Sequence, residues 1–327
     1  MTKKVKIGLV GCGRISQEHL GAFEKIKNAR IQALSDVAGD KVKSISEHHK
    51  CKAYKDYRRM IRNEKLDAVV VCTPPNIHAK VSIFAMSNGL HVLCEKPFSL
   101  NKTEALAMQN SARKNKRVLM MASKFRFTDD VVKAKAIIES GLLGRPVLFE
   151  NVFCSKVDMA NRWNSKKRIS GGGVLIDNGA HSVDIARFLL GPITLIQAQF
   201  GRRIQKISVE DTARIYFQNK SRTMGTIDLS WSLNKELPNY ISIYGTEGTL
   251  LIGWKSSCCK LHGKNKWETF GRGYDKRKAF LNQGRHFMDC ITKGIRPIIT
   301  PVDGLESVKV IEKIYESSRI NKWIKVG

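Results

Sequence analysis

Along the first third of the chain, short apolar runs alternate with stretches whose apolar residues recur at helical spacing. The runs cover residues 5–10, 31–35, 68–72, 91–94 and 118–122, and helical stretches such as 17–27 and 102–114 lie between them. The runs are apolar on both faces, as strands must be when helices cover a sheet from each side. The pattern predicts an α/β unit over residues 1–123 with a doubly wound parallel sheet.

Beyond residue 123 the texture changes. A helix is expected over 129–139, closed by Gly141, and a long strand over 146–154. After an irregular polar segment comes a helix over 174–190, stopped by Gly191-Pro192. Strand-like runs then follow in series at 195–202, 212–217, 223–233, 240–244 and 249–252, with turns such as Gly245-Thr246-Glu247-Gly248 between them. In 223–233 the apolar Ile227, Leu229, Trp231 and Leu233 alternate with Thr226, Asp228, Ser230 and Ser232, the signature of a sheet with one covered face. Two helices, near 276–292 and 304–319, complete a second, α+β domain over 124–327 with a large, mostly antiparallel open sheet.

Composition alters this picture little. At 327 residues, 42% hydrophobic and 26% charged, the chain can bury two cores without disulfide or metal support. The opening Met1-Thr2-Lys3-Lys4 runs directly into the first strand, and no apolar stretch is long enough for a bilayer; the expectation is a cytoplasmic protein with no membrane partner. Eight scattered cysteines without a Cys-x-x-Cys pair read as reduced thiols, and no metal site is expected. The net charge of +28 raises the question of a nucleic-acid partner. Residues 1–123 carry +13 of it and 124–327 the other +15, with no basic tail and no aromatic-interleaved basic strand. Lysine-rich solvated faces account for it, and no nucleic-acid partner is expected.

Candidate chemistry begins at Gly11-Cys12-Gly13-Arg14-Ile15-Ser16, between the first strand and the first helix. Gly11 permits a tight turn, Gly13 lets backbone approach a pyrophosphate, and the N–H groups of Arg14 and Ile15 at the helix start hold it. Ser16 stands where glycine or alanine is usual, which touches only the packing of helix on strand. The second strand ends at Asp36, 23 residues after Gly13, near the interval at which a carboxylate meets ribose hydroxyls. A carboxylate there repels a 2′-phosphate, so NAD is the expected cofactor; Lys41 and Lys43 soften the choice and keep NADP as the alternative. The competing reading is that Asp36 caps a helix starting near Gly39.

Two further loops fall at carboxyl ends of strands, where doubly wound sheets place ligands. One is Thr73-Pro74-Pro75-Asn76-Ile77-His78, read as cofactor contact or as a rigid turn into a helix. The other is Glu95-Lys96-Pro97, in which Lys96 is placed to meet nicotinamide and substrate together. In the second domain, Gly171-Gly172-Gly173 leads into a helix on which Asp177, His181 and Asp184 follow one another by about a turn, opposite Leu175, Ile176, Val183, Ala186 and Leu190. Gly179 between them costs about 1 kcal/mol relative to alanine, so something needs close approach there. Asp177 and His181 are a candidate acid-base pair, or else a surface pair. Arg162-Trp163 and Lys166-Lys167-Arg168 are candidates for the mouth of a substrate cleft, with Trp163 stacking on a sugar face, or form a solvated loop.

Gly11-x-Gly13, Glu95-Lys96-Pro97, the glycine triplet with Asp177-x-Gly179-x-His181, the Gly245 to Gly248 turn and the closing Asp303-Gly304 helix together resemble the glucose-fructose oxidoreductase/inositol dehydrogenase/rhizopine catabolism (Gfo/Idh/MocA) family, nearly end to end and in order. The resemblance implies a Rossmann domain, a C-terminal domain whose open sheet mediates homo-oligomers (dimers or tetramers), and NAD(P)-linked chemistry on sugars, cyclitols or nucleotide-sugars. It implies that Lys96, Asp177 and His181 carry that chemistry; the bond at the position of Lys96-Pro97 is often cis in members of the family, and the sequence leaves it open as cis or trans. On this basis a secondary alcohol is oxidised by hydride transfer, with His181 accepting the hydroxyl proton, Asp177 orienting His181, and Lys96 bonding the developing alkoxide. Lys96 is the other candidate for exchange of that proton. A dinucleotide-binding sensor without turnover is the alternative class, and the intact lysine, aspartate and histidine set argues against it.

Overall fold

A computed structural model of the chain describes residues 4–327. It divides into two compact units, one taking the chain up to Lys124 together with Arg277–Val308, the other Phe125–Lys276 with Lys309–Gly327.

In the first unit, six strands form one parallel sheet: β1 (Val5–Val10), β2 (Ala29–Ser35), β3 (Lys52–Tyr54), β4 (Ala68–Val71), β5 (His91–Glu95) and β6 (Leu119–Ala122), in the order β3-β2-β1-β4-β5-β6. The intervening helices are α1 (Arg14–Glu24), α2 (Gly39–His48), α3 (Tyr57–Asn63), α4 (His78–Ser87) and α5 (Lys102–Asn115). The strand order reverses between β1 and β4, which opens a ligand crevice beyond their carboxyl ends. All of β4 and β6 is buried, which is why these strands are apolar without alternation. The short β3 and α3 carry too few apolar residues to show a period, and the sequence pattern did not predict them.

The chain returns to this unit with α9 (Lys276–Lys293) and the start of α10 (Pro301–Ile320). The sequence division had kept this segment within a domain over 124–327. It returns because Phe280 sets its ring edge against His19 at 5.0 Å, Gly284 lies against Ile26 and Phe23, and Gly304 leaves room for the Phe98 ring.

In the second unit, α6 (Asp129–Glu139) and β7 (Pro146–Cys154) keep the expected bounds, and a four-residue α7 (Lys167–Ser170) precedes the glycine triplet. After α8 (Ala180–Leu190) come β8 (Ile193–Phe200), β9 (Thr212–Asn219), β10 (Met224–Ser230), β11 (Asn239–Gly245), β12 (Gly248–Gly253), β13 (Ser257–Leu261), β14 (Glu268–Gly271) and β15 (Ile324–Lys325). They form a nine-stranded sheet ordered β14-β13-β12-β11-β7-β10-β9-β8-β15, antiparallel except where β7 meets β10. Ile215, Phe217, Ile227, Leu229, Ile241 and Ile243 join Val183, Ala186, Leu189, Ile311 and Ile314 in one core. Residues of alternate parity, among them Leu148, Arg214, Tyr216 and Met224, are exposed. Expected to reach 233, β10 ends at Ser230: the Trp231 N–H still bonds the Asp211 carbonyl in register, whereas the Ser232 N–H turns back to the Ser230 hydroxyl at 3.0 Å, and Leu233 is exposed. No helix of the described residues is long and apolar enough to cross a membrane.

Candidate functional site

In the first unit the site is built around Gly11. Its φ of +93° suits glycine, and a Cβ there would lie 2.7 Å from the Cys72 carbonyl and 2.8 Å from the Thr73 nitrogen, because β1 and β4 run side by side. Gly13 differs: a Cβ there meets nothing within 4 Å. It is the N-cap of α1, no side chain caps that helix, and Arg14 and Ile15 begin it. Buried Ser16 ties the turn from behind, its hydroxyl donating to the Gly13 carbonyl at 2.5 Å, so serine fits the third position. An open, uncapped helix start beside a glycine facing empty space fits a pyrophosphate.

Asp36 accepts the Cys12 N–H at 2.6 Å through Oδ2 and the Ala38 N–H at 2.9 Å through Oδ1. It thereby fastens the glycine turn to the end of β2, while the N-cap of α2 is Ala38. Burial, then the Asp36 charge, pushes the Cys12 thiol up to about 12, so it is inert at neutral pH.

The loop after β4 offers Thr73, Pro74, Pro75 and Asn76. The buried Thr73 hydroxyl has no hydrogen-bond partner among the described residues, an orphan that a bound ligand would satisfy. His78, expected as a cofactor contact, is wholly buried, its Nδ1 2.9 Å from the Pro97 carbonyl and its Nε2 2.8 Å from that of Thr73. It joins the two loops and presents no surface to a ligand; burial lowers its pKa, and the two carbonyls act against that shift.

Glu95 is likewise a strut. Its Oε1 meets the His19 Nε2 at 2.7 Å and its Oε2 accepts the Lys96 N–H at 3.1 Å. Burial raises the Glu95 carboxyl, but the His19 hydrogen bond and charge, with Lys96 and Lys124, outweigh it and hold the group below its ordinary range. Lys96 itself stands half-buried at the end of β5, and the Lys96-Pro97 bond is cis.

In the second unit the expected continuous α-helix opens instead with a π turn, Leu175–Gly179, before α8. A Cβ on Gly179 would lie 2.7 Å from Leu175 Cδ1 and 3.1 Å from Leu229 Cδ1, so the close approach there is that of core leucines. Asp177 is half-buried, and His181 is 8% exposed with the Phe125 ring edge-on at 5.1 Å. The expected outward polar stripe stops at these two. Asp184 is fully buried and takes a bidentate grip from Arg126, Nε to Oδ2 at 2.9 Å and Nη2 to Oδ1 at 2.6 Å. Leu175, Ile176, Val183 and Ala186 are buried as expected, while Leu190 is half-buried.

Of the tentative substrate residues, Arg162 is half-buried and Trp163 exposed at the start of a short 3-10 turn. Lys167 lines a cavity of about 520 Å³ with Arg203, Arg319, Glu210 and Tyr315. His19, Phe125, Arg126, Glu210 and Tyr315 were not singled out from sequence. Each acts on a partner distant along the chain, and no local motif marks it.

A parallel sheet in the order 3-2-1-4-5-6 with an open glycine turn at its switch point defines a nicotinamide-binding Rossmann unit, and the attached sheet domain defines an oxidoreductase of two-domain build. Residues 5–123 match the family described as "Oxidoreductase family, NAD-binding Rossmann fold", and residues 131–251 match the "GFO/IDH/MocA C-terminal domain". Myo-inositol 2-dehydrogenase of Thermotoga maritima is 30% identical over 75% of this chain and 74% of its own length. D-apiose dehydrogenase of Paraburkholderia graminis is 26% identical over 99% and 90%. Among solved structures, levoglucosan dehydrogenase in complex with NADH and levoglucosan superposes with a TM-score of 0.93 at 20% identity, covering 99% of this chain and 100% of that one. An oxidoreductase from Agrobacterium radiobacter in complex with NAD+, L-tartaric acid and magnesium gives 0.89 at 23%, covering 99% of each. The chain belongs to the Gfo/Idh/MocA family and is an NAD-dependent oxidoreductase.

Proposed function

We propose that this enzyme oxidises a ring secondary alcohol of a free sugar or cyclitol, or reduces the matching ketone, with NAD preferred to NADP. The observation that carries the reading is the half-buried Asp177 one helical turn before a nearly buried His181, a carboxylate and an imidazole on one short stretch of backbone. Low solvent exposure strengthens their electrostatics and suits the imidazole to proton exchange with a bound hydroxyl.

Gly11, Gly13, Arg14 and Ile15 would hold the pyrophosphate, Asp36 the adenosine ribose, and Thr73, Pro74, Pro75 and Asn76 the adjoining part of the dinucleotide. When bound, the nicotinamide supplies the hydride acceptor. His181 takes the hydroxyl proton, Asp177 holds the imidazole in place and stabilises its charged form, and the Lys96 ammonium hydrogen-bonds the oxygen as negative charge builds on it. Arg162 and Trp163 contact the sugar ring. The relatives named for D-apiose, myo-inositol and levoglucosan share a ring polyol as substrate class, which favours free sugars and cyclitols over nucleotide-sugars. Eight free cysteines accord with a reducing cytoplasm. The exposed Leu148, Tyr216 and Met224 suit the outer sheet face to contact between copies in a dimer or tetramer.

The test is a panel of D-apiose, myo-inositol, scyllo-inositol, levoglucosan and UDP-glucose with NAD or NADP, followed by nicotinamide absorbance. Turnover of a free sugar or cyclitol with NAD is expected. Turnover of UDP-glucose alone, or NADP preferred to NAD, would overturn the reading.

A further inference from the structure

We propose that Glu210 is a positioning residue: together with Tyr315 it clamps the start of the helix that carries Asp177 and His181, and so fixes where these two groups stand. The inference rests on their assignment as the acid-base pair.

The first donors of a helix have no partners within it and must find them elsewhere. Here three successive donors go to one residue. The Glu210 Oε1 accepts the Gly173 N–H at 2.8 Å and the Leu175 N–H at 3.2 Å, and the Glu210 carbonyl accepts the Val174 N–H at 2.9 Å. The Tyr315 hydroxyl donates to the same Oε1 at 2.7 Å and holds the carboxylate from the other side. Burial raises the Glu210 pKa, and the Tyr315 hydroxyl and the backbone donors oppose that shift.

The clamp also explains the glycine triplet, whose composition the hydride chemistry does not require. A Cβ on Gly173 would sit 1.9 Å from the Glu210 carbonyl oxygen, and one on Gly172 would sit 1.8 Å from the Tyr315 hydroxyl. Both glycines are therefore the space into which the clamp fits. Gly173 passes the constraint on, since its carbonyl accepts the Asp177 N–H at 3.1 Å.

Asp177 lies inside the π turn, a rare geometry found as single turns within α-helices. On one side α8 is anchored through buried Val183, Ala186 and Leu189. On the other the anchor is Glu210. Without it, the turn is free to relax toward α geometry and rotate the Asp177 carboxylate relative to His181.

The experiment compares Glu210→Ala, Glu210→Gln, Tyr315→Phe and the Glu210→Ala/Tyr315→Phe double variant with wild type and His181→Ala, on the panel substrate turned over fastest. Amide exchange over residues 173–181 and NAD affinity are read in parallel. Glu210→Ala is expected to lower kcat by about 10-fold to 100-fold, the scale of a misplaced catalytic group, with KM and NAD affinity within about 3-fold and faster exchange over 173–181. Glu210→Gln keeps an acceptor oxygen and restores kcat to within about 3-fold. The double variant should be no slower than Glu210→Ala, because both changes break one clamp. Wild-type kcat and exchange in folded Glu210→Ala, or additive losses in the double variant, would overturn the inference. If Glu210→Ala fails to fold, Tyr315→Phe decides: unchanged kcat and unchanged exchange overturn it, and a loss of kcat with faster exchange supports it. Near-normal turnover by His181→Ala would instead reject the underlying acid-base assignment, and the exchange data would still report on the clamp.

Discussion

Both carboxylate oxygens of Asp36 accept backbone hydrogen bonds, from Cys12 and Ala38, so this side chain shapes the glycine turn, and in the proposed cofactor site it also repels a 2′-phosphate. Asp36→Ala is expected to cut kcat/KM for NAD by about 10-fold to 100-fold, the weight of one or two hydrogen bonds to a charged group, and to raise the NADP/NAD ratio; steady-state kinetics with both cofactors checks this. Glu95 yields a pH prediction. Its folded pKa is depressed, so its stabilising contribution is present in full above its unfolded pKa and is lost as pH falls through the lower folded value. Removing His19 leaves the buried Glu95 Oε1 without its hydrogen bond, a loss of about 1–3 kcal/mol. Urea unfolding of His19→Ala at neutral pH should show that loss, and its acid-unfolding midpoint should move to higher pH. An unchanged acid limb would mean that the His19–Glu95 pair does not set it. At this scale, the positions of Asp36 and Lys96 just past the ends of β2 and β5 were legible, because a fixed interval or a strand end marks them. Glu95, His78 and Asp184 were visible as polar residues near the site, yet their roles depend on partners far along the chain: His19 lies 76 residues from Glu95, and Arg126 58 from Asp184.

The glycine turn between β1 and α1 separates folding from binding at two neighbouring positions. Gly11→Ala forces a side chain into the left-handed region and against the backbone of Cys72 and Thr73, and should destabilise the protein by about 1–3 kcal/mol. Gly13→Ala meets open space and should change stability by less than about 1 kcal/mol, yet weaken NAD binding about 10-fold or more by filling the approach of the pyrophosphate. Denaturant titration and NAD titration of the two variants separate these effects; equal losses of stability would contradict them. Elements with a clear period, such as α6 and β7, lie where the pattern set them, because their buried faces repeat for two turns or more. The short β3, β13, β14 and β15 left no readable alternation, and the π turn at Leu175–Gly179 is invisible to a helical period. In the proposed clamp it is held through space, by Glu210 at one end and by the buried α8 at the other.

For the molecule as a whole, the two-part build was readable from the change of texture near residue 123, whereas the return of Arg277–Val308 to the first unit was not, because the contacts that draw it back are single aromatic and glycine positions. The net charge of +28 is spread over both parts of the sequence without a focus. In the proposed function, the dinucleotide turn and Lys96 belong to the first unit's sequence and Asp177 and His181 to the second's. The claim at the centre is that the amine of Lys96 and the imidazole of His181 serve one reaction, and it is tested most directly by NAD titration and turnover of Lys96→Ala and His181→Ala side by side. NAD affinity within about 3-fold of wild type, with kcat lower by about 100-fold or more in each variant, is the expected result. Turnover near the wild-type rate in either variant, with the cofactor bound, would contradict it.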